Sequence, residues 1–433
     1  MTYGDPTPGQ DGAPLDALVD HLFRRESAKM VSALTRVFGT HNLELAEDVV
    51  QDALLRALRH WPFQRIPKNP SGWLYQVAKR RAIDVVRRRQ AFPQASIDGT
   101  PPHSALPAEM FVESLFSDEE IKDDTLRMMF TCCHQALALE AQVALTLNLL
   151  GGFSSGEIAH AFLVPEGTMQ KRLYRAKQQI RESRIAFEVP SGADLAPRLQ
   201  AVLAVLYLMF NEGYSSSFAE QPIRRDVCVE ATRLCRLLMD HPAGGHPDVR
   251  ALMALMCFQA ARFDARTDEH GDIVILKHQD RSRWDRALMR EGFHYLGEST
   301  AGGDVGTLQL EAAIAAVHCI ADSYETTDRA SIVKLYEQLM DLKPSPIVAL
   351  NRAIALAERD GPRAGLTALE TVAGRELLES YHHYPAALGE LHLRLGETED
   401  AARYFEHALS IASSPAERRF LQRKLEECRA LRR

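Results

Sequence analysis

The sequence lacks an apolar run long enough to cross a membrane, and it lacks an excess of positive charge. The longest uninterrupted apolar stretch, 201–210, is about half of the 18 or more residues that a membrane span requires, so we expect no membrane span. Lysine and arginine number 51 against 58 acidic residues, a net charge of −7. This balance excludes a protein that coats nucleic acid with a uniformly basic surface.

Signals for secretion and for disulfide scaffolds are also missing. Residues 1–14 have neither a basic start nor an apolar core, so we expect a disordered leader rather than a secretory signal. The seven cysteines are odd in number and scattered, which favours a reducing cytoplasm. Cys132, Cys133 and His134 adjoin one another without a second ligand pair at zinc spacing. We therefore predict a cytoplasmic location and no metal site.

The motifs of common enzymes are absent as well. No Ser-His-Asp order, glycine-rich phosphate loop or paired-carboxylate motif stands out in the chain. We therefore expect a protein that is not an enzyme and that uses no cofactor.

What the sequence has in abundance is helical periodicity. Apolar residues recur at spacings of three and four, as at Leu203, Leu206, Tyr207 and Phe210. Alternating patterns typical of strands are scarce, and 272–276 is the one short candidate. The pattern predicts an all-α fold.

Two stretches rich in proline and glycine divide the chain, at 91–117 and 187–197. With the leader, they predict a helical block at 15–90, a second at 118–186 and a large helical remainder at 198–433. Within the remainder, tetratricopeptide-like spacing is formed by Leu388, Gly389, Ala401, Phe405 and Ala408. Small residues at such positions let two antiparallel helices approach closely while the larger ones fill the groove. Generic helical hairpins remain the simpler alternative.

The segment 56–90 holds ten cations and a single acid, Asp84. Such a concentration favours a phosphate-binding surface. Trp61, Phe63, Trp73 and Tyr75 are interleaved near a proline-rich loop, an arrangement that suits unstacked bases. Trp73 also fits the core of a helix, and we prefer that interpretation for it.

A helix beginning near Ser71 would carry Gln76, Arg80 and Arg87 on one face, with Lys79 beside them. Glutamine and arginine can contact base edges as well as phosphates. Upstream, Asp48, Gln51 and Asp52 form a compact acidic and amide patch. They indicate either a docking face for a basic protein or, for Asp52, an ordinary helical pair with Arg56.

The second block contains a helix-turn-helix pattern. Ser154 and Glu157 form a capping box before a short helix, residues 164–167 break the chain, and a basic helix follows. A short helix, a tight turn and a basic second helix form the geometry that enters the major groove. Base contacts are expected from its N-terminal turns, which hold Thr168, Gln170, Lys171 and Arg172.

Taken together, these motifs resemble the sigma-70 family of bacterial transcription initiation factors, in its two-domain extracytoplasmic-function form. The resemblance rests on AEDVVQDALLRAL, PSGWLYQVAKRRAIDVVRRR and SSGEIAHAFLVPEGTMQKRLYRAKQQIR, which stand in the family's order within residues 15–186. It implies that the first segment docks on core RNA polymerase, the second binds the −10 promoter element and the third reads the −35 element. Arg80 stands where the family often has asparagine.

The residues that carry these roles follow by resemblance. Core polymerase would be bound by Asp48, Gln51 and Asp52. The −10 element would be contacted by Trp61, Arg65, Lys68, Gln76, Lys79, Arg80, Arg87 and Arg88. The −35 element would be contacted by Thr168, Gln170, Lys171, Arg172, Arg175 and Lys177. The partners expected are therefore core RNA polymerase and promoter DNA.

The large C-terminal remainder resembles the extension of one subgroup, in which a tetratricopeptide-like domain is fused to the sigma factor. It would modulate activity or bind an unidentified protein or small-molecule regulator. Within it, residues 211–214 indicate a helix end capped by Gly213. The alternative there is a ligand pocket shared with Asp280, Arg281, Arg283 and Trp284.

Two other functions stay open at this point. One is a helix-turn-helix regulator with a repeat domain that never joins the polymerase. The other is an enzymatic or ligand-binding C-terminal domain joined to a DNA-binding head. An ordinary regulator needs neither the aromatic-bearing basic loop at 61–75 nor the acidic patch near Asp48.

Overall fold

The computed structural model describes residues 15–64, 66–91, 118–161, 164–215, 223–303, 305–379 and 381–431. Within these ranges the regular secondary structure is helical, which confirms the all-α class. The candidate strand at 272–276 contributes only one isolated antiparallel bridge, between Thr267 and Ile273. The expected leader, 1–14, and nearly all of the expected linker, 92–117, lie outside the described residues.

The chain divides into two compact units, residues 1–205 and 206–433. The helices of the first unit are α1 (Leu15–Phe38), α2 (Leu43–Gln64), α3 (Pro70–Ala91), α4 (Asp118–Cys132), α5 (Leu139–Leu149), α6 (Ser155–Ala161) and α7 (Glu166–Ser183). Helices α1–α3 form the predicted first block and α4–α7 the second, and both blocks belong to this one unit.

The core of the first unit lies around α1. This helix buries Met30 and Leu34, one turn apart, and packs against α2, α3 and α4. Helix α4 contributes Met129 and Phe130, which are fully buried. The two predicted blocks therefore share apolar packing through the α1–α4 contact.

A buried carboxylate reinforces that contact. Asp124 of α4 has no exposed side-chain area, and Arg127 of the same helix donates a hydrogen bond to its Oδ1 at 2.8 Å. Its Oδ2 lies 3.2 Å from Nε of Arg36 on α1. Because a buried charge is costly without a partner, this arrangement ties the position of α4 to α1.

Helix α8 (Leu195–Tyr214) carries the chain from the first unit into the second. The stretch Gly192–Tyr214 has a mean hydropathy of 1.4 over its most apolar window and is long and apolar enough to cross a membrane by those criteria alone. Half of that window is buried within the protein, as in the core helix of a globular domain.

The second unit is a succession of packed helices. They are α9 (Arg225–Asp240), α10 (Pro247–Ala260), α11 (Arg286–Thr300), α12 (Thr307–Ile320), α13 (Arg329–Leu342), α14 (Pro346–Asp360), α15 (Pro362–Glu370), α16 (His383–Arg394), α17 (Thr398–Ile411) and α18 (Pro415–Ala430). Neighbours in sequence pack against one another, and successive apolar clusters join each hairpin to the next. This is the organisation of a helical repeat array.

The predicted tetratricopeptide-like spacing corresponds to the hairpin of α16 and α17. Ala401, Phe405 and Ala408 of α17 are buried. A Cβ atom at Gly389 of α16 would lie only 3.0 Å from the Phe405 ring, so the close approach of the two helices depends on this glycine.

The last helix of the array is tied to a distant loop. Asp272, in the connection between α10 and α11, accepts a hydrogen bond from Nε of Arg419 at 2.6 Å and another from the guanidinium of Arg423. Hydrogen bonds from Arg419, followed by the charges of both arginines, lower the pKa of Asp272. The carboxylate therefore joins α18 to a segment nearly 150 residues earlier in the same unit.

Candidate nucleic-acid interface

The cationic helix α3 begins where the sequence predicts. Asn69 caps it by accepting a hydrogen bond from the Gly72 amide at 2.8 Å, and Pro70 is its first residue. Leu74, Ala78 and Ala82 recur every four residues and are fully buried, which fixes the inward face of the helix.

The opposite face of α3 carries the residues predicted to contact the −10 element. Gln76, Arg80, Arg87 and Arg88 are exposed and Lys79 is half-buried, while Lys68 is exposed just before the helix. The structure therefore brings five predicted side chains together along one helix. Arg65 lies outside the described residues.

Trp61 is not placed as expected. Its side chain is only 6% exposed, and its ring packs 5.6 Å from that of Phe23 and 5.7 Å from that of Trp73. Apolar burial at the end of α2 explains this position, so Trp61 supports the core in this conformation and does not offer its ring to DNA. Trp73 packs beside it, in keeping with the core interpretation preferred for that residue.

The exposed face of α2 carries the predicted docking patch. Asp48 and Gln51 are exposed. Asp52 is partly exposed, and its Oδ2 lies 3.4 Å from both Arg56 of the same helix and Arg81 of α3. The helical pair with Arg56 is thus present, and the same carboxylate also joins α2 to α3.

Two exposed apolar side chains on α2 were not predicted from the sequence. Leu55 and Leu58, three residues apart, are each about half exposed, at 50% and 52%. They extend the patch of Asp48 and Gln51 along the helix. The sequence did contain a signal for Leu55 and Leu58. Both are apolar, although the helical period places them on the solvent-facing side of α2.

The helix-turn-helix forms as predicted by its capping box. The Ser154 amide donates to Oε2 of Glu157 at 2.8 Å, and the Glu157 amide donates to Oγ of Ser154 at 3.2 Å. Glu166 opens α7 and accepts hydrogen bonds at Oε1 from Ser155 at 2.9 Å and from Gln170 at 3.1 Å. These bonds fix the angle between α6 and α7 at the turn.

Helix α7 presents its basic side chains to solvent on one side. Met169, Leu173, Ala176 and Ile180 form its buried stripe. Thr168, Gln170, Lys171 and Arg175 are exposed and Arg172 is half-buried. An open groove of about 420 Å³ lies between this helix and residues 136–141, and its lining includes Thr168, Lys171, Arg172 and Arg175.

Lys177 differs from the other residues predicted to contact the −35 element. Its Nζ lies 2.6 Å from Oε1 of Glu47 on α2, and both side chains are less than 20% exposed. In this conformation its ammonium group is therefore bound within the first unit.

In the second unit, the Arg281 region forms a structural contact. Arg281 is buried, and its NH1 donates to the carbonyl oxygens of His318 and Ala321, each at 2.6 Å, at the C-terminal end of α12. Its NH2 donates to Oγ1 of Thr327 at 3.2 Å, and its guanidinium lies 4.8 Å from the Trp284 ring. Through these contacts Arg281 binds the carbonyl groups at the C-terminal end of α12, which is a structural role.

The helix ends within the predicted segment 211–214, but Gly213 does not have the predicted capping role. Helix α8 runs through Gly213 to Tyr214 without a left-handed residue there. A Cβ atom on Gly213 would lie 2.7 Å from Sγ of Cys228. This glycine therefore permits the close approach of α9 and does not cap α8.

Among the residues that the structure describes, two groups of side chains have metal-ligand chemistry, and in each group a histidine nitrogen contacts a glutamate. Nε2 of His382 lies 3.2 Å from Glu417, and Nδ1 of His392 lies 2.6 Å from Glu397. Asp400, in the second group, pairs with Arg403. In the first unit, Cys132 and Cys133 are buried, and burial raises the pKa of the Cys133 thiol to about 12. These contacts describe how the side chains are held within the fold.

Family comparisons agree with the order of these elements. Residues 22–92 match the model of Sigma-70 region 2, and residues 127–180 match that of Sigma-70 region 4. The chain belongs to the sigma-70 family. It is a sigma factor of the extracytoplasmic-function type with a large helical C-terminal extension, of which residues 198–300 match a family of unknown function, DUF6596.

Relatives of this sigma factor fall into two groups. Uncharacterized protein R00370 of Rhizobium meliloti is 38% identical over 405 residues, which cover 92% of this chain and 93% of that protein. The ECF RNA polymerase sigma factor SigE of Mycolicibacterium smegmatis is 27% identical over 38% of this chain and 60% of its own length. The ECF RNA polymerase sigma-E factor of Escherichia coli is 29% identical over 37% of this chain and 82% of its own length. No solved structure matches the chain.

Proposed function

We propose that this sigma factor binds core RNA polymerase and directs it to promoters by contacting −35 and −10 DNA. One observation carries the proposal. The exposed α2 patch, the cationic face of α3 and the basic face of α7 are surfaces of different chemistry in the order of sigma regions 2 and 4. An acidic and apolar patch suits a protein partner, and the two cationic helices suit phosphate and base edges.

The cationic surfaces divide the DNA between them. On α3, Gln76 and Arg80 stand one turn apart and reach base edges of the −10 element, while Arg87 and Arg88 near the helix end contact its backbone. On α7, Thr168, Lys171, Arg172 and Arg175 lie along the groove beside the helix and contact the −35 element. Catalysis of transcription belongs to the polymerase, so this chain is not itself an enzyme. We place its action in the cytoplasm.

The C-terminal extension supplies a scaffold for regulation. Its array of packed hairpins is the type of structure that binds protein segments along an extended surface. We assign to it the modulation of promoter activity through a protein or a small molecule.

Run-off transcription with purified core polymerase tests the proposal. The full-length protein is expected to support core-dependent initiation on its own promoters and to copurify with core. A helix-turn-helix regulator would bind DNA without either property. The absence of both core-dependent initiation and copurification would refute the sigma activity.

The docking patch has its own test. The double variant Asp48→Arg with Asp52→Arg reverses the patch charge and is expected to weaken core binding at least tenfold, because like charges then face the partner. The matched control is Glu44→Arg, which changes an exposed acid on the first turn of the same helix. Core affinity is measured by titration with labelled protein, and circular dichroism checks the helices. Unchanged affinity of the double variant would contradict the docking assignment.

A further inference from the structure

Two adjacent histidines lie beside the start of the last helix of the extension. His382 and His383 stand at the N-terminal end of α16, and their ring centroids are 4.0 Å apart. Glu417 lies in the first turn of α18. One donor atom from each of these three side chains lies within 4.8 Å of the other two. Two imidazoles and a carboxylate therefore converge, and we call them the His382–His383–Glu417 cluster.

The packing of the last hairpins places the donors of this cluster. Ala386 and Leu393 of α16 pack against the apolar cluster that includes Leu421 of α18. Nζ of Lys424 on α18 lies 2.9 Å from Oε2 of Glu390 on α16. Because these contacts set the approach of α16 to α18, the donors are held by rigid elements and need not hold one another.

The contact between His382 and Glu417 has the spacing of two metal ligands. Nε2 of His382 lies 3.2 Å from Oε2 of Glu417, but this buried nitrogen makes no hydrogen bond to any described part of the chain. Bonds of about 2.0–2.2 Å to a tetrahedral zinc ion place two ligand atoms about 3.4 Å apart. Since a buried polar atom without a partner is costly, a metal ion bound to both atoms would satisfy them.

The positive charges nearest to Glu417 in sequence are engaged elsewhere. Arg418 donates hydrogen bonds to two carbonyl oxygens at the C-terminal end of α17, and Arg419 binds Asp272. Within the ranges that the structure describes, no lysine or arginine forms an ion pair with Glu417. The carboxylate is therefore available to a cation.

The other group of side chains with metal-ligand chemistry is less suited to an ion. Nδ1 of His392 and Glu397 share a hydrogen bond of 2.6 Å, and Asp400 is paired with Arg403. A metal ion there would have to break both contacts. This difference favours the His382–His383–Glu417 cluster.

The donor atoms of the cluster indicate the kind of ion. Two imidazole nitrogens and one carboxylate oxygen, without a thiolate, suit a divalent transition metal such as Zn²⁺. His383 is exposed, whereas the side chains of His382 and Glu417 are less than 20% exposed. The exposed side gives an ion a path of entry and leaves room for water as a further ligand.

We propose that the His382–His383–Glu417 cluster binds a divalent transition metal ion, Zn²⁺ foremost, and that the ion ties the start of α16 to the start of α18. This site goes beyond the proposed function and does not depend on it. It differs from the expectation of no metal site, which was drawn from Cys132, Cys133 and His134 in the other unit. Because the ion binds only the folded cluster, it makes the last hairpins resist local opening.

Zinc binding by the full-length protein tests the site without polymerase or DNA. The protein is stripped with a chelator, incubated with zinc chloride, freed of unbound metal by gel filtration and analysed by inductively coupled plasma mass spectrometry. We expect about one Zn²⁺ per chain, and competition with a coloured chelator measures its affinity. A chain that retains no zinc would overturn the proposal.

Single variants assign the bound ion to the cluster. Glu417→Gln and His383→Gln each remove one ligand and are expected to weaken zinc binding at least about tenfold, since even residues behind the ligands contribute that much. The control is His407→Gln, which changes an exposed histidine on α17 and should leave the affinity unchanged. Affinity that survives in the two ligand variants, or that falls instead in His392→Gln, would contradict the assignment.

A third imidazole separates metal binding from a structural role of the carboxylate. Glu417→His removes the same negative charge as Glu417→Gln but supplies a nitrogen donor, and three histidines are also a zinc ligand set. We expect Glu417→His to retain zinc and Glu417→Gln to lose it. Zinc should also slow amide exchange in α16 and α18 at least about tenfold in the unaltered protein and not in Glu417→Gln. Equal loss of zinc in both variants, or exchange that zinc does not slow, would overturn the proposal.

Discussion

Arginines on the two cationic helices of the first unit of this sigma factor differ in their surroundings from certain arginines that hold the second unit together. In the first unit, Arg80, Arg88 and Arg175 present their side chains to solvent along α3 and α7. In the second, Arg281 is buried against two carbonyl oxygens and a hydroxyl, and Arg419 binds a single aspartate across the unit. The comparison shows that the count of cations says little about nucleic-acid binding unless their exposure is known.

The same contrast explains the misleading net charge. The C-terminal part of the chain, from residue 188, holds 29 cations and 36 acids, which gives the whole protein its negative balance. Several of these charged side chains are bound to partners within the fold. Glu358, for example, accepts hydrogen bonds from Tyr324 and Arg394, each at 2.5 Å. The net charge of the chain therefore does not describe the surface that would meet DNA.

The largest expected effect comes from removing the buried arginine. Arg281→Met is expected to lower the free energy of unfolding of the second unit by about 3 kcal/mol, because two carbonyls and a hydroxyl lose a charged donor. Urea unfolding combined with hydrogen exchange of α12 measures the change. The control is Arg283→Met, which alters an exposed arginine two residues away and should cost less than about 0.5 kcal/mol. If both variants lower the free energy of unfolding equally, the buried contacts of Arg281 do not stabilise the second unit.

The pH dependence of stability provides a second test of the buried region around Arg281. Burial, together with Arg262, Arg281 and Arg329, lowers the pKa of His318 to about 4. Between that value and the ordinary pKa near 6.5, the unfolded chain binds a proton that the folded unit does not, so stability falls as the pH falls through this window. From pH 7 to pH 5 the loss is expected to be about 2 kcal/mol.

Variants assign this pH dependence to its source. His318→Gln is expected to flatten the stability profile between pH 7 and pH 5, measured by urea unfolding at each pH. His278→Gln, which changes an exposed histidine of the same unit, should leave the slope unchanged. A slope that survives in His318→Gln would mean that another group titrates.

The third test addresses the exposed arginines. Arg80→Ala is expected to reduce initiation about tenfold, or roughly 1.4 kcal/mol, if its side chain contacts −10 DNA. The free energy of unfolding should change by less than about 0.5 kcal/mol, because the residue is exposed. Arg290→Ala, an exposed arginine on α11 of the second unit, is the control and should affect neither quantity. Loss of stability without loss of initiation in Arg80→Ala would mean that Arg80 supports the fold, as Arg281 does, and does not contact DNA.

The smallest expected effect concerns salt. Lys171→Ala should weaken promoter binding similarly across sequences and reduce the slope of log affinity against log salt by about 0.9, the value for one phosphate contact. Fluorescence titration of the holoenzyme at several salt concentrations measures the slope. Arg290→Ala again provides the control, and an unchanged slope for Lys171→Ala would place that lysine away from phosphate.

Some features of the fold were predictable from the sequence because their determinants lie within one turn or one helical hairpin. The capping box of Ser154 and Glu157 follows from a spacing of three residues, and the close approach of Gly389 to Phe405 follows from the spacing within one helical hairpin. So does the start of α3 after Asn69.

Other features depend on contacts between distant segments and left no local signal. Trp61 is buried because Phe23 and Trp73 pack around it, whereas its neighbours in sequence suggested an exposed aromatic loop. Glu47 and Lys177 are 130 residues apart, and Arg281 bonds to carbonyls nearly 40 residues away. Patterns of period 3.6 identify the face on which a side chain stands, but they do not identify its partner.

The tie between Asp272 and the last helix affects how the extension comes apart. Repeat arrays with a free end lose their terminal helix first and then open one hairpin at a time. Here Arg419 and Arg423 bind Asp272 in the connection between α10 and α11, so detaching α18 also releases that connection. The extension should therefore resist stepwise unfolding from its C-terminus and unfold in one cooperative transition.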